Sequence, residues 1–167
     1  MPSDLLQLRL DQNRSQPQQL QSPYLTPITP DHAPELAIAY LGAYPPGVAA
    51  NTLAEANEEI RATFANDYGI LQSSWTFATV AGTQVVGAIL VVEQSIWDAE
   101  LAGPFVIDLF VDRSYQGQGR GRALLLAASE TCRRAGERSL SLRVGEGTSP
   151  RAYRLYHDLG FRRWPHE

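Results

Sequence analysis

Between Gly103 and Ala135 the chain passes from one hydrophobic period to another through a glycine-rich junction. The run GPFVIDLFV, 103–111, is apolar and β-branched, as a buried strand requires. Leu124, Leu125, Ala128, Cys132 and Ala135 then recur at helical spacing, and Gly136 is placed to end the helix. The junction, SYQGQGRG, sets glycines at 117, 119 and 121. A strand that feeds through glycines straight into a long helix belongs to a sheet with helices packed on it. That excludes all-helical and all-β folds.

The flanking segments extend the pattern. YLTPI, 24–28, is a short strand, and TPDHAPELAIAYLGAY carries helix-start chemistry at Thr29 and Asp31 before YPPG breaks it. A second helix is expected from Thr52 to Phe64, with Leu53, Ala56, Ile60 and Phe64 on one face. SSWTFATVAGTQVVGAILVVEQ reads as a hairpin that turns at Ala81-Gly82-Thr83. SLSLRV, 139–144, is a further strand. In SPRAYRLYHDLG, Ser149 is the N-cap, Pro150 takes the first helical position and Gly160 the stop. FRRW provides a last short strand. The expected fold is a single α/β (α+β) domain with a mixed, mostly antiparallel sheet and helices on both faces. Residues 24–167 make up this domain. Residues 1–23 are an extension, either flexible or supplying an added edge strand through Leu6, Leu8 and Leu10.

Composition removes several function classes. A formal charge of −4 argues against general nucleic-acid binding, and no apolar run reaches the roughly 20 residues that span a bilayer. The single cysteine, Cys132, cannot form an intrachain disulfide or a cysteine metal cluster. It fits a reducing compartment, so the expected location is the cytoplasm. All 14 basic residues are arginine, which excludes lysine from any catalytic role.

The junction itself points to an anion. Glycines bring backbone N–H groups close to a ligand, and the first turn of a helix adds unpaired donors and the positive end of its dipole. Arg120 and Arg122 fall in that turn, where a cation opposes the dipole by up to about 1 kcal/mol. A bound phosphate reverses the penalty and supplies charge-assisted hydrogen bonds. The dinucleotide fingerprint fails because position 122 is arginine, and a P-loop fails for want of lysine.

Gln116-Gly117-Gln118-Gly119-Arg120-Gly121 matches Q/R-x-x-G-x-G/A, and AYRLYHDLGF, 152–161, matches A-x-x-L-Y-x-x-x-G-F. In this order the two motifs resemble those of the GCN5-related N-acetyltransferases (GNAT), and the likeness covers roughly residues 24–163. The resemblance implies a V-shaped opening between the two central parallel strands, VIDLFV and SLSLRV, with a bulge that parts them. It also implies acetyl-CoA as co-substrate and no metal. Leu109 and Val111 would offer backbone groups to the pantetheine arm, and Gln116, Gly117, Gln118, Gly119, Arg120, Gly121 and Arg122 would hold the pyrophosphate. Ser149 stands where many members place a cofactor-contacting asparagine.

By the same resemblance, Tyr156 is the acid that protonates the departing thiolate. Asp108 and Glu93 are the candidate bases for the acceptor amine, with Asp108 first. Asp98 and Glu100 are candidates for attracting a cationic acceptor. The acceptor would be a primary amine of a small molecule, peptide or protein, received among Tyr40, Tyr44, Pro45, Pro46, Trp75 and Trp97. No nucleic-acid or membrane partner is implied. Family members often form homodimers, and the sequence leaves the oligomeric state open. The alternative is a coenzyme-A-binding regulatory domain without turnover. The chain departs from the family pattern at its end, because only six residues follow Phe161 and leave little room for the usual final strand.

Overall fold

The computed structural model describes residues 4–11, 24–145 and 147–165. Most of the stretch expected to be a flexible extension, residues 12–23, lies outside the described residues. Helices form where spacing and capping place them: α1 Ala33–Ala43, α2 Leu53–Phe64, α3 Arg120–Arg134 and α4 Pro150–Leu159. The Thr52 hydroxyl caps α2 by accepting the Glu55 N–H at 3.1 Å. Gly160 adopts φ +104°, a left-handed conformation that ends α4 and that other residues take only under strain. None of the helices among the described residues is long and apolar enough to cross a membrane.

Seven strands form one sheet: β1 Asp4–Arg9, β2 Leu25–Pro27, β3 Phe77–Ala81, β4 Gln84–Val92, β5 Phe105–Val111, β6 Ser139–Val144 and β7 Arg162–Arg163. Their spatial order is β2-β3-β4-β5-β6-β1-β7. Every neighbouring pair is antiparallel except β5 and β6. Helices α1 and α2 cover one face, where Leu36, Tyr40 and Ile60 pack with Ala88, Leu90 and Phe110. Helices α3 and α4 cover the other, with Leu124, Leu125 and Tyr156 against Ile89, Val91 and Leu142.

The decisive irregularity is in β5. Asp108 pairs with Leu90 and Val106 with Val91, so Ile107 has no partner on β4. An extra residue of this kind bends its strand and raises the local twist. On the other side, β5 pairs with β6 only at Phe105↔Ser141 and Val106↔Leu142. Beyond Ile107 the two parallel strands separate, and the expected V-shaped opening lies between them.

The N-terminal leucines form a strand inside the sheet rather than at its edge. β1 pairs with β6 along all six of its residues and with β7 on its other side. Both of its edges are therefore paired, the outer one at Leu6 and Gln7. Leu8 and Leu10 join the core beneath α3, while Leu5 packs with Leu101, Phe105 and Trp164. Gln7, buried between them, donates to the Ser141 hydroxyl at 3.2 Å. The place next to β6 is thus filled by β1, and β7 pairs on the outer side of β1.

If β1 is an integral strand, Leu8→Ala should cost about 2–4 kcal/mol in denaturant unfolding, through lost burial and the cavity left behind. Arg9→Ala, at an exposed position of the same strand, should cost less than about 0.5 kcal/mol. Equal costs would show that β1 only decorates the surface.

Candidate active site

The opening between β5 and β6 widens into a cleft of about 1030 Å³. It runs from the glycine junction, past the bulge, to side chains of α1, α4 and the β4–β5 connection. The volume lies at the upper end of the range for pockets that take organic ligands.

At one end stands the N-terminus of α3. Gly117 and Gly119 have φ of +79° and +81°, and Gly119 is the N-cap in a left-handed conformation. No side chain caps this helix, unlike α2 and α4. Its first intrahelical bond runs from the Ala123 N–H to the Gly119 carbonyl, so the N–H groups of residues 120–122 have no partner within the helix. A Cβ at Gly119 would meet nothing within 4 Å, which leaves the backbone open to a ligand. Arg122 is exposed and lines the cleft.

Sequence reasoning missed Arg151. It lies in the first turn of α4, and its Nη1 is 3.0 Å from where a Gly117 Cβ would stand. Among the described residues, neither Arg122 nor Arg151 forms an ion pair. A cation in a first turn was the signal that singled out Arg120 and Arg122, and the same signal marks Arg151.

Three other polar side chains of the junction have tasks within the protein. The Arg120 guanidinium does not depend on an anion for its partners. Nη1 donates to the Thr79 hydroxyl at 2.9 Å and the Val80 carbonyl at 2.8 Å, and the group lies over the rings of Tyr24 and Tyr115. Its charge is balanced by β3 and by aromatic faces, which explains its position without a ligand. Gln118 accepts from Arg120 Nε at 3.2 Å. Gln116 donates to the Val111 carbonyl at 2.8 Å and to the Ala43 carbonyl at 3.4 Å. It serves a strand end that β6 has left, so the Val111 carbonyl is already engaged. Ser149 accepts the Ala152 N–H at 3.1 Å as the cap of α4, the task read from its sequence position.

Proton-handling groups gather at the bulge. Asp108 Oδ1 accepts the Tyr44 hydroxyl at 2.6 Å, and the same hydroxyl is 3.4 Å from the Leu109 carbonyl. Burial pushes the Asp108 carboxyl up to about 7, against the opposing bonds from Tyr44 and the Leu109 backbone. Tyr156 comes from the opposite helical layer and is 8% exposed, with its ring edge-on to Phe161. Burial and then the Asp108 charge push its phenol up to about 12, so it keeps its proton at neutral pH. A carboxyl that ionises near neutrality beside a phenol that stays protonated can accept one proton and donate another.

Glu93 does not join this group. It is exposed past the end of β4, accepts from Gln72 Nε2 at 3.3 Å and does not line the cleft. Of the expected acceptor walls, Tyr44, Pro45 and Trp97 line the cleft. Trp75 is instead buried in the core beneath α3, and Tyr40 packs beneath Tyr44 and Phe110. Trp97 is 56% exposed and stacks on Tyr68. Asp98 is salt-bridged to Arg143 and accepts from Ser95, so its charge is neutralised, while Glu100 is exposed.

Asp108 also leaves a mark on stability. Its carboxyl is raised in the folded state, so the native protein holds a proton that the unfolded chain releases between about pH 4 and 7. Stability therefore falls as pH rises through that window. Asp108→Asn should raise the Tm above pH 7, with the gain shrinking towards pH 4. Parallel Tm–pH curves for the two proteins would refute the assignment.

The sequence profile described as the Acetyltransferase (GNAT) family matches residues 49–161. No curated protein matches the chain significantly. Among solved structures, the protein PH1933 from Pyrococcus horikoshii OT3 superposes with a TM-score of 0.68 at 21% identity, covering 86% of this chain and 90% of that one. A GCN5-related N-acetyltransferase from Sphaerobacter thermophilus gives 0.67 at 19%, with 96% of this chain on 48% of that chain, so the likeness spans about half of that protein. A GNAT family acetyltransferase from Brucella melitensis, solved in complex with acetyl-CoA, gives 0.62 at 24%, covering 83% and 82%. These likenesses establish the shared fold. With the family profile spanning most of the chain, this protein belongs to the GNAT acetyltransferase family.

Proposed function

We propose that the protein is an acetyl-CoA-dependent N-acetyltransferase that passes an acetyl group directly to a primary amine. The observation that carries this reading is the parting of β5 from β6 into a cleft that joins the α3 N-terminus to Asp108 and Tyr156. The bound thioester supplies an activated acyl group. The residues suited to holding its diphosphate are the N–H groups of 120–122, with the side chains of Arg122 and Arg151. Arg120 contributes its backbone while its side chain braces β3.

Asp108 is the group suited to take a proton from the amine. An ammonium near pKa 10 is almost wholly protonated at pH 7, and a carboxylate that ionises near 7 can relieve it. Tyr156, protonated through the neutral range, is suited to return a proton to the departing sulfur. Direct transfer is favoured over a covalent enzyme intermediate because Cys132, the chain's one cysteine, is fully buried in the core. Burial also pushes its thiol up to about 12, so it is not a ready nucleophile.

The primary test is thiol release from acetyl-CoA across a panel of amines. Release that rises with an acceptor is expected, whereas tight acetyl-CoA binding with no acceptor-dependent release would favour a sensor. Tyr156→Phe should lower kcat by about 10²-fold and leave acetyl-CoA affinity within about threefold. Unchanged turnover would remove Tyr156 from the reaction.

The pH profile supplies a separate check. Activity requires Asp108 ionised, so kcat should fall as pH drops through about 7. Asp108→Asn should remove that limb along with about 10²-fold or more of the rate. Amines of different pKa should share the midpoint; a midpoint that tracks the amine would assign the titration to the acceptor.

A further inference from the structure

Tyr44 entered the sequence reading only as a wall of the acceptor site. It also lies outside the segment 49–161 matched by the family profile. We propose that Tyr44 is a positioning residue that holds the Asp108 carboxylate in the orientation and ionised form that receive the acceptor's proton. This rests on the reading of Asp108 as the base.

Four observations carry it. The first is the bond itself. At 2.6 Å, the Tyr44 hydroxyl to Asp108 Oδ1 contact falls in the range of charge-assisted O–H···O⁻ bonds, and it joins residues 64 apart in sequence. The second is that the hydroxyl is aimed by packing. Tyr44 follows the last residue of α1 with extended φ −109° and ψ 148°, as expected before Pro45. Its ring meets Tyr40 edge-on at 5.5 Å, and Tyr40 meets Phe110 edge-on at 5.4 Å. The Tyr44 carbonyl in turn accepts Arg113 Nη2 at 3.3 Å.

The third observation is the position of Asp108, directly after the unpaired Ile107, where β5 bends and has lost β6. A carboxylate on a strand without its outer neighbour needs another element to fix its rotamer. Tyr44 reaches it from α1.

The fourth is the surrounding charge. From α2 the Glu59 carboxylate opposes ionisation of Asp108. The phenols of Tyr40 on α1 and Tyr156 on α4 are pushed up by burial and then by the Asp108 charge. Among the described residues, no arginine or histidine forms an ion pair with Asp108. The donors that favour its ionised form are the Tyr44 hydroxyl and the Leu109 backbone. Tyr44 itself is held protonated by burial and by Asp108, so it donates throughout the working range.

The test is the pH dependence of thiol release by the whole chain, with acetyl-CoA and the best amine of the panel, for wild type, Tyr44→Phe and Asp108→Asn. With its side-chain donor removed, Asp108 ionises later. Tyr44→Phe should therefore move the kcat midpoint up by about one unit and lower kcat at pH 6.5 by about tenfold. Above the new midpoint the rate should return to within a few-fold of wild type, with acetyl-CoA affinity unchanged. A merely structural role would lower the rate equally at every pH and leave the midpoint in place, and that result would overturn the proposal. If Tyr44→Phe does not fold, 3-fluorotyrosine introduced at position 44 alone keeps the ring and strengthens the donor. It should move the midpoint down, and an unmoved midpoint overturns the proposal in the same way. Asp108→Asn separates the two failures. If it retains wild-type turnover, the base assignment falls and takes the Tyr44 role with it; if it is inactive while position 44 leaves the midpoint unmoved, only Tyr44 falls.

Discussion

One unpaired residue governs the geometry of this protein. Ile107 interrupts the register of β5 on β4, and β5 keeps β6 as a partner only for the two positions before it. A parallel pair that ran its full length would close the cleft and bury the main-chain groups that now border it. The interruption also sets Asp108 where both helical layers can reach it, Tyr44 from one and Tyr156 from the other. Cavity, carboxylate and phenols are brought together by a single departure from strand regularity.

Electrostatic contrast follows the length of the cleft. At the α3 end, backbone dipoles together with Arg122 and Arg151, which form no ion pair among the described residues, create a place that repels cations. At the bulge, Asp108 and Glu59 share a neighbourhood and form no ion pair among the described residues, and burial raises the carboxyl of the former to about 7. An anionic group and an ammonium group therefore prefer opposite ends. The two ends are separated by strand backbone, whose interaction with a bound chain is directional but uncharged.

Much of this was legible in the sequence, because it rests on local signals. Glycines at 117, 119 and 121, Ser149-Pro150 and Gly160 each specify a backbone conformation, and α3 and α4 follow them closely. The resemblance to acetyltransferases rests on those same positions. What escaped was non-local. The Arg120 side chain bonds to β3, some 40 positions away in sequence, and first-turn charge alone could not show that partner. Glu93 read as a base because it ends a strand beside the site, yet the chain there turns outward. Tyr44 and Asp108 lie 64 residues apart and share no motif. Arg151 was readable by the rule applied to its counterparts in α3.

The alternating leucines showed a strand but not its place, since periodicity says nothing about which neighbours a strand finds. The seat of β1 has a consequence for how the molecule assembles. Gln7 meets Ser141 across 134 residues, and β7 closes over β1 from near the far end of the chain. Closing so long a loop carries a large entropic cost that is recovered only once β6 exists. On the ribosome, Gln7 emerges 134 residues ahead of Ser141, so the leucines beside it must wait for β6. Docking of this strand is thus a late event in biogenesis, and until then an apolar N-terminal segment and the flank of β6 stay exposed to chaperones and proteases.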